Sequence, residues 1–180
     1  MVYCFLADGF EETEAIAPID MLKRAGVPVT TVGIGKRVIT GSHSIPVTAD
    51  ITDSEFKADE SLEAVILPGG MPGTLNLDAS KTVHAALDFA EERQKLICAI
   101  CAAPSILGKK GLLEGREAIA FPGFEKDLKG AVISKKFVVR DGNVITAKGA
   151  GVAVKFGLEI ASALVGRKKS DEIFEQIQSE

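Results

Sequence analysis

Tryptophan is absent from this 180-residue chain, tyrosine occurs once, histidine twice and cysteine three times. Three cysteines without the spacing of a secreted disulfide framework argue for free thiols in a reducing compartment, so a cytoplasmic protein is expected. An excess of positive charge is also lacking. Lys and Arg number 21 against 25 Asp and Glu, the net charge is −4, and no segment gathers enough cations to neutralise a run of phosphates. Nucleic acid is therefore not an expected partner. The longest mostly apolar run, Leu96 to Leu107, is broken by Pro104 and is shorter than the ~20 residues that span a bilayer. The first residues, Met-Val-Tyr-Cys-Phe-Leu, meet Asp8, Glu11 and Glu12 without the basic start and cleavage site of a signal peptide. They read as a buried first strand, and no membrane partner is expected.

What the chain does have is apolar residues, 46% of the total, enough for one substantial core. A single domain over residues 1–180 is expected, since no linker or repeat divides the chain. Compact apolar runs at Val2 to Leu6, Val27 to Ile34, Ala64 to Leu67 and Leu96 to Ile100 alternate with segments of helical spacing. The first such helix places Ile16, Ile19, Leu22 and Ala25 on one face before Gly26; a later one carries Val83, Leu87 and Ala90. Segments Val38 to Thr40 and Ile45 to Thr48 read as a hairpin or edge excursion, and Phe137 to Arg140 with Val144 to Ala147 flank a turn at Asp141-Gly142-Asn143. A short helix follows Cys101 up to Gly108 or Gly111, an apolar helix runs from about Val152 to Leu164, and a polar one follows Ser170. This alternation predicts a flavodoxin-like three-layer α/β/α sandwich with a mostly parallel sheet.

In such sheets ligands gather outside the carboxyl ends of the strands, which selects three loops: Ala7 to Glu14, Pro68 to Thr74 and Ala99 to Ser105. In the last, Ala99-Ile-Cys-Ala-Ala-Pro104 has small residues on both sides of Cys101, as a strand-to-helix nucleophile elbow requires. The helix dipole and free backbone N–H groups there are expected to lower the thiol pKa. Cys98 and Cys101 form a C-x-x-C, but no second C-x-x-C or histidine pair completes a metal shell, and no metal or other cofactor is expected. Cys98 and Cys4 read as core residues. Glu11, Glu12 and Glu14 suit a helix N-terminus, and one of them is a candidate proton acceptor for Cys101; periodicity does not say which. The backbone of Pro68-Gly69-Gly70, with the Ala102 N–H, is a candidate oxyanion hole.

The segments Gly9-Phe-Glu-Glu-Thr-Glu14, Leu67-Pro-Gly-Gly70 and Ala99-Ile-Cys-Ala-Ala-Pro104 together resemble the signatures of the ThiJ/PfpI superfamily, in the branch of the parkinsonism-associated deglycase and its bacterial relatives. Arg24-Ala25-Gly26 and Lys148-Gly149-Ala150-Gly151 extend the likeness over nearly the whole chain. The resemblance implies a homodimer in which Cys101 is an oxidation-sensitive nucleophile, Glu14 its protonated hydrogen-bond partner, and Gly70 and Ala102 backbone donors. It also implies a cofactor-independent glyoxalase or deglycase acting on reactive dicarbonyls or their adducts, or else an oxidative-stress sensor or chaperone that works through Cys101. Where many relatives place a histidine beside the cysteine this chain has Phe121, which weakens any amide-hydrolase reading by removing the acid for a leaving amine. His43, in Gly41-Ser-His-Ser44, falls where close relatives carry an arginine, and is an auxiliary candidate as base or anion contact. His84 reads as a solvated helix residue.

Overall fold

The computed structural model describes residues 1–178. Its seven-stranded sheet is built from β1 (Val2–Leu6), β2 (Val29–Gly33), β5 (Ile51–Thr52), β6 (Ala64–Leu67), β7 (Leu96–Ile100), β10 (Val138–Asp141) and β11 (Val144–Ala147). The order is β10-β11-β7-β6-β1-β2-β5, with every pairing parallel except β10 with β11. Two small outlying pairs are β3 (Val38–Thr40) with β4 (Pro46–Thr48), antiparallel, and β8 (Glu117–Ala118) with β9 (Val132–Ile133), parallel. The helices are α1 (Glu12–Arg24), α2 (Gly73–Asp78), α3 (Lys81–Glu92), α4 (Pro104–Lys109), α5 (Ala153–Val165) and α6 (Arg167–Gln176).

Because successive strand side chains point to opposite faces, each central strand feeds two cores. Val2, Cys4 and Leu6 of β1, with Leu96, Cys98 and Ile100 of β7, pack under α1 and α5, whereas Phe5, Ile97 and Ala99 pack under α3 and α4. Each fully buried Leu, Ile or Phe here contributes about 1.5–3 kcal/mol of transfer free energy, which is why both faces must be covered. The sandwich is thus the expected one, and no described helix is long and apolar enough to cross a membrane.

Several expectations need correction. Ile16 is 45% exposed while Ile19 and Leu22 are buried. The inward face of α1 is instead made by Ala15, Pro18, Ile19, Met21 and Leu22, with Glu12 and Glu14 also buried. The second strand is shorter than expected and leaves out Val27 and Ile34. The last helix begins at Arg167, so Ser170 lies inside it, buried, with its hydroxyl donating to the Leu158 carbonyl (2.8 Å). His84 is only partly exposed, and its Nε2 lies 2.7 Å from the Asp78 carbonyl, tying α3 to the end of α2.

Candidate active site

The three expected loops do converge at the carboxyl edge of β1, β6 and β7. β7 ends at Ile100, and Cys101 takes the left-handed conformation (φ 64°), which a non-glycine residue adopts only when its surroundings impose it. The surroundings are explicit. The Cys101 N–H donates to the Ala147 carbonyl (2.9 Å), the Ala103 N–H to the Ile100 carbonyl (3.1 Å), and the Phe121 N–H to the Cys101 carbonyl (2.8 Å). This clamp re-aims the side chain off the sheet edge before α4 begins at Pro104, as an elbow requires.

Of the three glutamates, α1 chooses one. Glu11 is the N-cap, and its carboxylate accepts from the Glu14 N–H (2.7 Å). Glu14 then lies in the first turn, 1% exposed, and turns its Oε2 to the Gly69 N–H at 2.9 Å. The Ala150 N–H supplies a further donor, and the Cys101 thiol is a side-chain hydrogen-bond partner. Gly69 also accepts from the Glu11 N–H (2.9 Å), so one residue fixes both the cap and the buried carboxyl. A methyl group at Gly69 would stand 2.6 Å from both the Cys101 Cβ and the Glu14 Oε2, so only glycine lets the two groups share this space. Gly70 follows in the left-handed region (φ 88°), which turns its N–H toward the sulfur.

Burial pushes the Glu14 carboxyl up to about 7, against the opposing effect of hydrogen bonds from Cys101, Gly69 and Ala150, and the Glu11 charge adds to the rise. The Cys101 thiol is pushed up to about 12, first by burial and then by the Glu14 charge and hydrogen bond, while the Gly70 and Ala102 N–H groups pull it down. The turn's donors act in the expected direction, but the expected net lowering of the thiol pKa is overturned. The helix-dipole argument assumes a terminus open to solvent, and here loss of water and a neighbouring carboxylate outweigh the donors. Two groups that both favour the protonated form titrate as a unit, which near neutrality shares a single proton and a single negative charge. The arrangement is a proton-accepting carboxyl against a sulfur, with two N–H donors that make no other described backbone bond.

Gly70 and Ala102 are thus gathered at Cys101, although their N–H groups address the sulfur itself. His43 belongs to a separate cluster. Its Nδ1 lies 2.8 Å from the Glu12 carboxylate, its N–H donates to the same group (2.8 Å), and its side chain is 69% exposed. Burial alone would raise the Glu12 pKa, but hydrogen bonds from the His43 ring and backbone, among others, hold it down to about 2. His43 is raised by the same hydrogen bond. Glu11, Glu12 and His43 bring ligand atoms within 4.8 Å of one another. Since Glu12 is already engaged by His43 and by the Ser42 hydroxyl (3.3 Å), hydrogen bonding accounts for this cluster without a metal.

Cys4 and Cys98 are fully buried free thiols, and burial pushes Cys4 up to about 12 and raises Cys98 as well. Both belong to the core, as expected. Phe121 is held beside Cys101 through its backbone, while its ring, 47% exposed, lies toward Gly149. The titratable side chain bonded to the thiol is therefore Glu14. Ala150 was given no role from the sequence, and Gly69, expected as part of an oxyanion hole, donates instead to the Glu14 carboxyl. Ala150 lies within Lys148-Gly149-Ala150-Gly151, a turn whose sequence carries no sign of which N–H faces Glu14.

The model of the DJ-1/PfpI family matches residues 1–163. Among similar proteins, dj-1beta of Drosophila melanogaster is 36% identical over 171 residues, covering 93% of this chain and 91% of the relative. A deglycase of Pyrococcus abyssi is 34% identical over 145 residues, covering 79% and 86%. Among solved structures, a mutant of a DJ-1 superfamily protein from Salmonella typhimurium superposes with a TM-score of 0.93 at 37% identity, covering 99% of this chain and 98% of that one. With the elbow cysteine, the buried glutamate and the glycine between them in place, these matches establish that the chain belongs to the DJ-1/PfpI family.

Proposed function

We propose that this protein is a cysteine-dependent, cofactor-independent enzyme of the glyoxalase or deglycase kind, acting on reactive dicarbonyls or their adducts. The observation that carries the reading is the Glu14–Cys101 pair, a nucleophile in contact with a carboxyl whose burial tunes it to titrate near neutrality. A relative whose name is deglycase adds support.

With methylglyoxal, the Cys101 sulfur adds to the aldehyde carbon while Glu14 takes the thiol proton, and the oxyanion formed becomes a hemithioacetal hydroxyl. Glu14 returns its proton to the oxygen and then removes the former aldehyde hydrogen as a proton, giving an enediolate. Delivery of that proton to the second carbon, with the hydroxyl proton passing from the first oxygen to the second, leaves a thioester, which water hydrolyses to lactate and free thiol. One carbon is oxidised and its neighbour reduced, so the reaction balances with water alone. The Gly70 and Ala102 N–H groups stabilise charge on the sulfur and, after addition, are the donors assigned to the adjoining oxyanion.

The test is lactate formation from methylglyoxal by wild type, Cys101→Ser and Glu14→Gln. Turnover lost in both variants supports the reading; full activity in Cys101→Ser, or none in folded wild type, overturns it. A second reading is favoured by one observation: Cys101 is the only cysteine with any exposure. In it, two equivalents of peroxide convert the thiol to sulfinate with release of two waters, and the modified state changes partners or client binding. Equal oxidation of all three cysteines in the folded protein would count against it. Association of two copies is part of the same proposal, with Ile16 and Ile45 as exposed apolar surface for it and sedimentation velocity as its check.

A further inference from the structure

An open groove of about 430 Å³ is lined by Phe121, Pro122, Phe137 and the turn from Lys148 to Val152. Two of its walls adjoin the reactive residues: the Phe121 N–H donates to the Cys101 backbone carbonyl (2.8 Å), and the Ala150 backbone lowers the Glu14 pKa as a neighbouring donor. The lining is carbon almost throughout. Phe121 and Phe137 are 47% and 60% exposed, an arrangement that leaves two aromatic rings in water unless something apolar covers them. The Lys148 ammonium sits 5.0 Å from the centre of the Phe137 ring, which steadies that ring at the groove wall.

We propose that this groove is the subsite for the apolar substituent of the carbonyl attacked at Cys101, so that Phe121 is a specificity-determining residue selecting aryl or branched-alkyl 2-oxoaldehydes over methylglyoxal. The proposal rests on the reading that Cys101 attacks a carbonyl carbon. Its logic is continuity: a substrate anchored at the sulfur has its substituent within a few bonds of the wall that Phe121 and Ala150 share with the pair. An apolar wall discriminates by the area it covers, and the step from methyl to phenyl is large enough for a tenfold or greater effect. A polar substituent would lose its water there without finding a partner. The reaction keeps the same balance, with phenylglyoxal and water giving mandelate.

Two measurements test this. The first is the ratio of kcat/KM for phenylglyoxal to that for methylglyoxal in wild type, Phe121→Ala, Phe121→Leu and Phe137→Ala. The ratio is expected to fall at least tenfold in Phe121→Ala and by less in Phe121→Leu. The second needs no turnover. The rates at which phenacyl bromide and bromoacetone alkylate Cys101, forming an Sγ–CH₂ bond and releasing bromide and a proton, are followed by intact mass. The phenacyl preference is expected to fall about tenfold in Phe121→Ala and measurably in Phe137→Ala. If wild type turns over neither aldehyde yet the alkylation preference is lost in both variants, the enzymatic reading fails and the apolar subsite stands. Unchanged ratios in folded variants overturn the subsite. So does a Phe121→Ala protein whose oligomeric state changes while its ratios do not, since the groove would then be a surface for a second copy.

Discussion

Cys98 and Cys101 stand three residues apart and pack against the same core, and burial raises the pKa of both, yet only one is equipped for chemistry. Cys98 sits within β7, fully buried, with no hydrogen-bond partner among those that shift it. Cys101 sits one residue past the strand end, partly exposed, with a carboxyl to take its proton and two N–H groups to hold the charge left behind. A raised thiol pKa therefore does not separate an inert cysteine from a reactive one. What separates them is whether the proton has somewhere to go.

The strongest way to break this contrast is to remove the acceptor. Glu14→Gln keeps the shape and can still accept from the Gly69 N–H, but cannot take the proton, so methylglyoxal turnover should fall by about 10²–10⁴-fold, assayed as lactate. The same variant should change how stability depends on pH. The folded state holds the Glu14 proton up to about 7, whereas the unperturbed value is 4.5, so wild type loses stability as pH rises between those values. The loss amounts to as much as about 3 kcal/mol and should be missing from Glu14→Gln, as read by urea unfolding at pH 4.5 and 7.5.

A smaller perturbation separates the partners without altering either. Gly69→Ala places a methyl group 2.6 Å from the Cys101 Cβ and the Glu14 Oε2. It should destabilise by about 1–3 kcal/mol in thermal unfolding and bring Cys101 reactivity closer to that of an ordinary thiol. The smallest effect belongs to the rim. His43 should titrate above the ordinary imidazole value by NMR and return toward it in Glu12→Gln. Because the Glu12 pKa is depressed, its contribution to stability is present above about 4.5 and is lost as pH falls toward about 2; that acid-side slope should be reduced in the same variant.

The sheet and its helices were legible because their apolar residues follow period 2 or 3.6. Exceptions have local causes. α2 escaped notice because Gly69, Gly70, Pro72 and Gly73 read as loop, and β8 and β9 are two residues each, too short to show a period. Ile16 fits the helical stripe by spacing but lies at its margin, where Glu12 and Glu14 have taken the inward positions in the first turn. At the site, the elbow was readable from small residues around Cys101, and Glu14 was singled out by family likeness. Its burial was not readable, since a glutamate in a first helical turn ordinarily faces water. For the same reason the direction of the thiol shift was misjudged.

The most direct test is the rate of Cys101 alkylation by iodoacetamide against pH, in wild type and Glu14→Gln. The account predicts that the wild-type rate rises to a plateau with an apparent pKa near 7, belonging to the pair, and that in Glu14→Gln this inflection disappears and the rate instead follows the titration of the thiol alone. Superimposable profiles that rise together above pH 8 would contradict it, because Cys101 would then behave as a thiol with no proton partner.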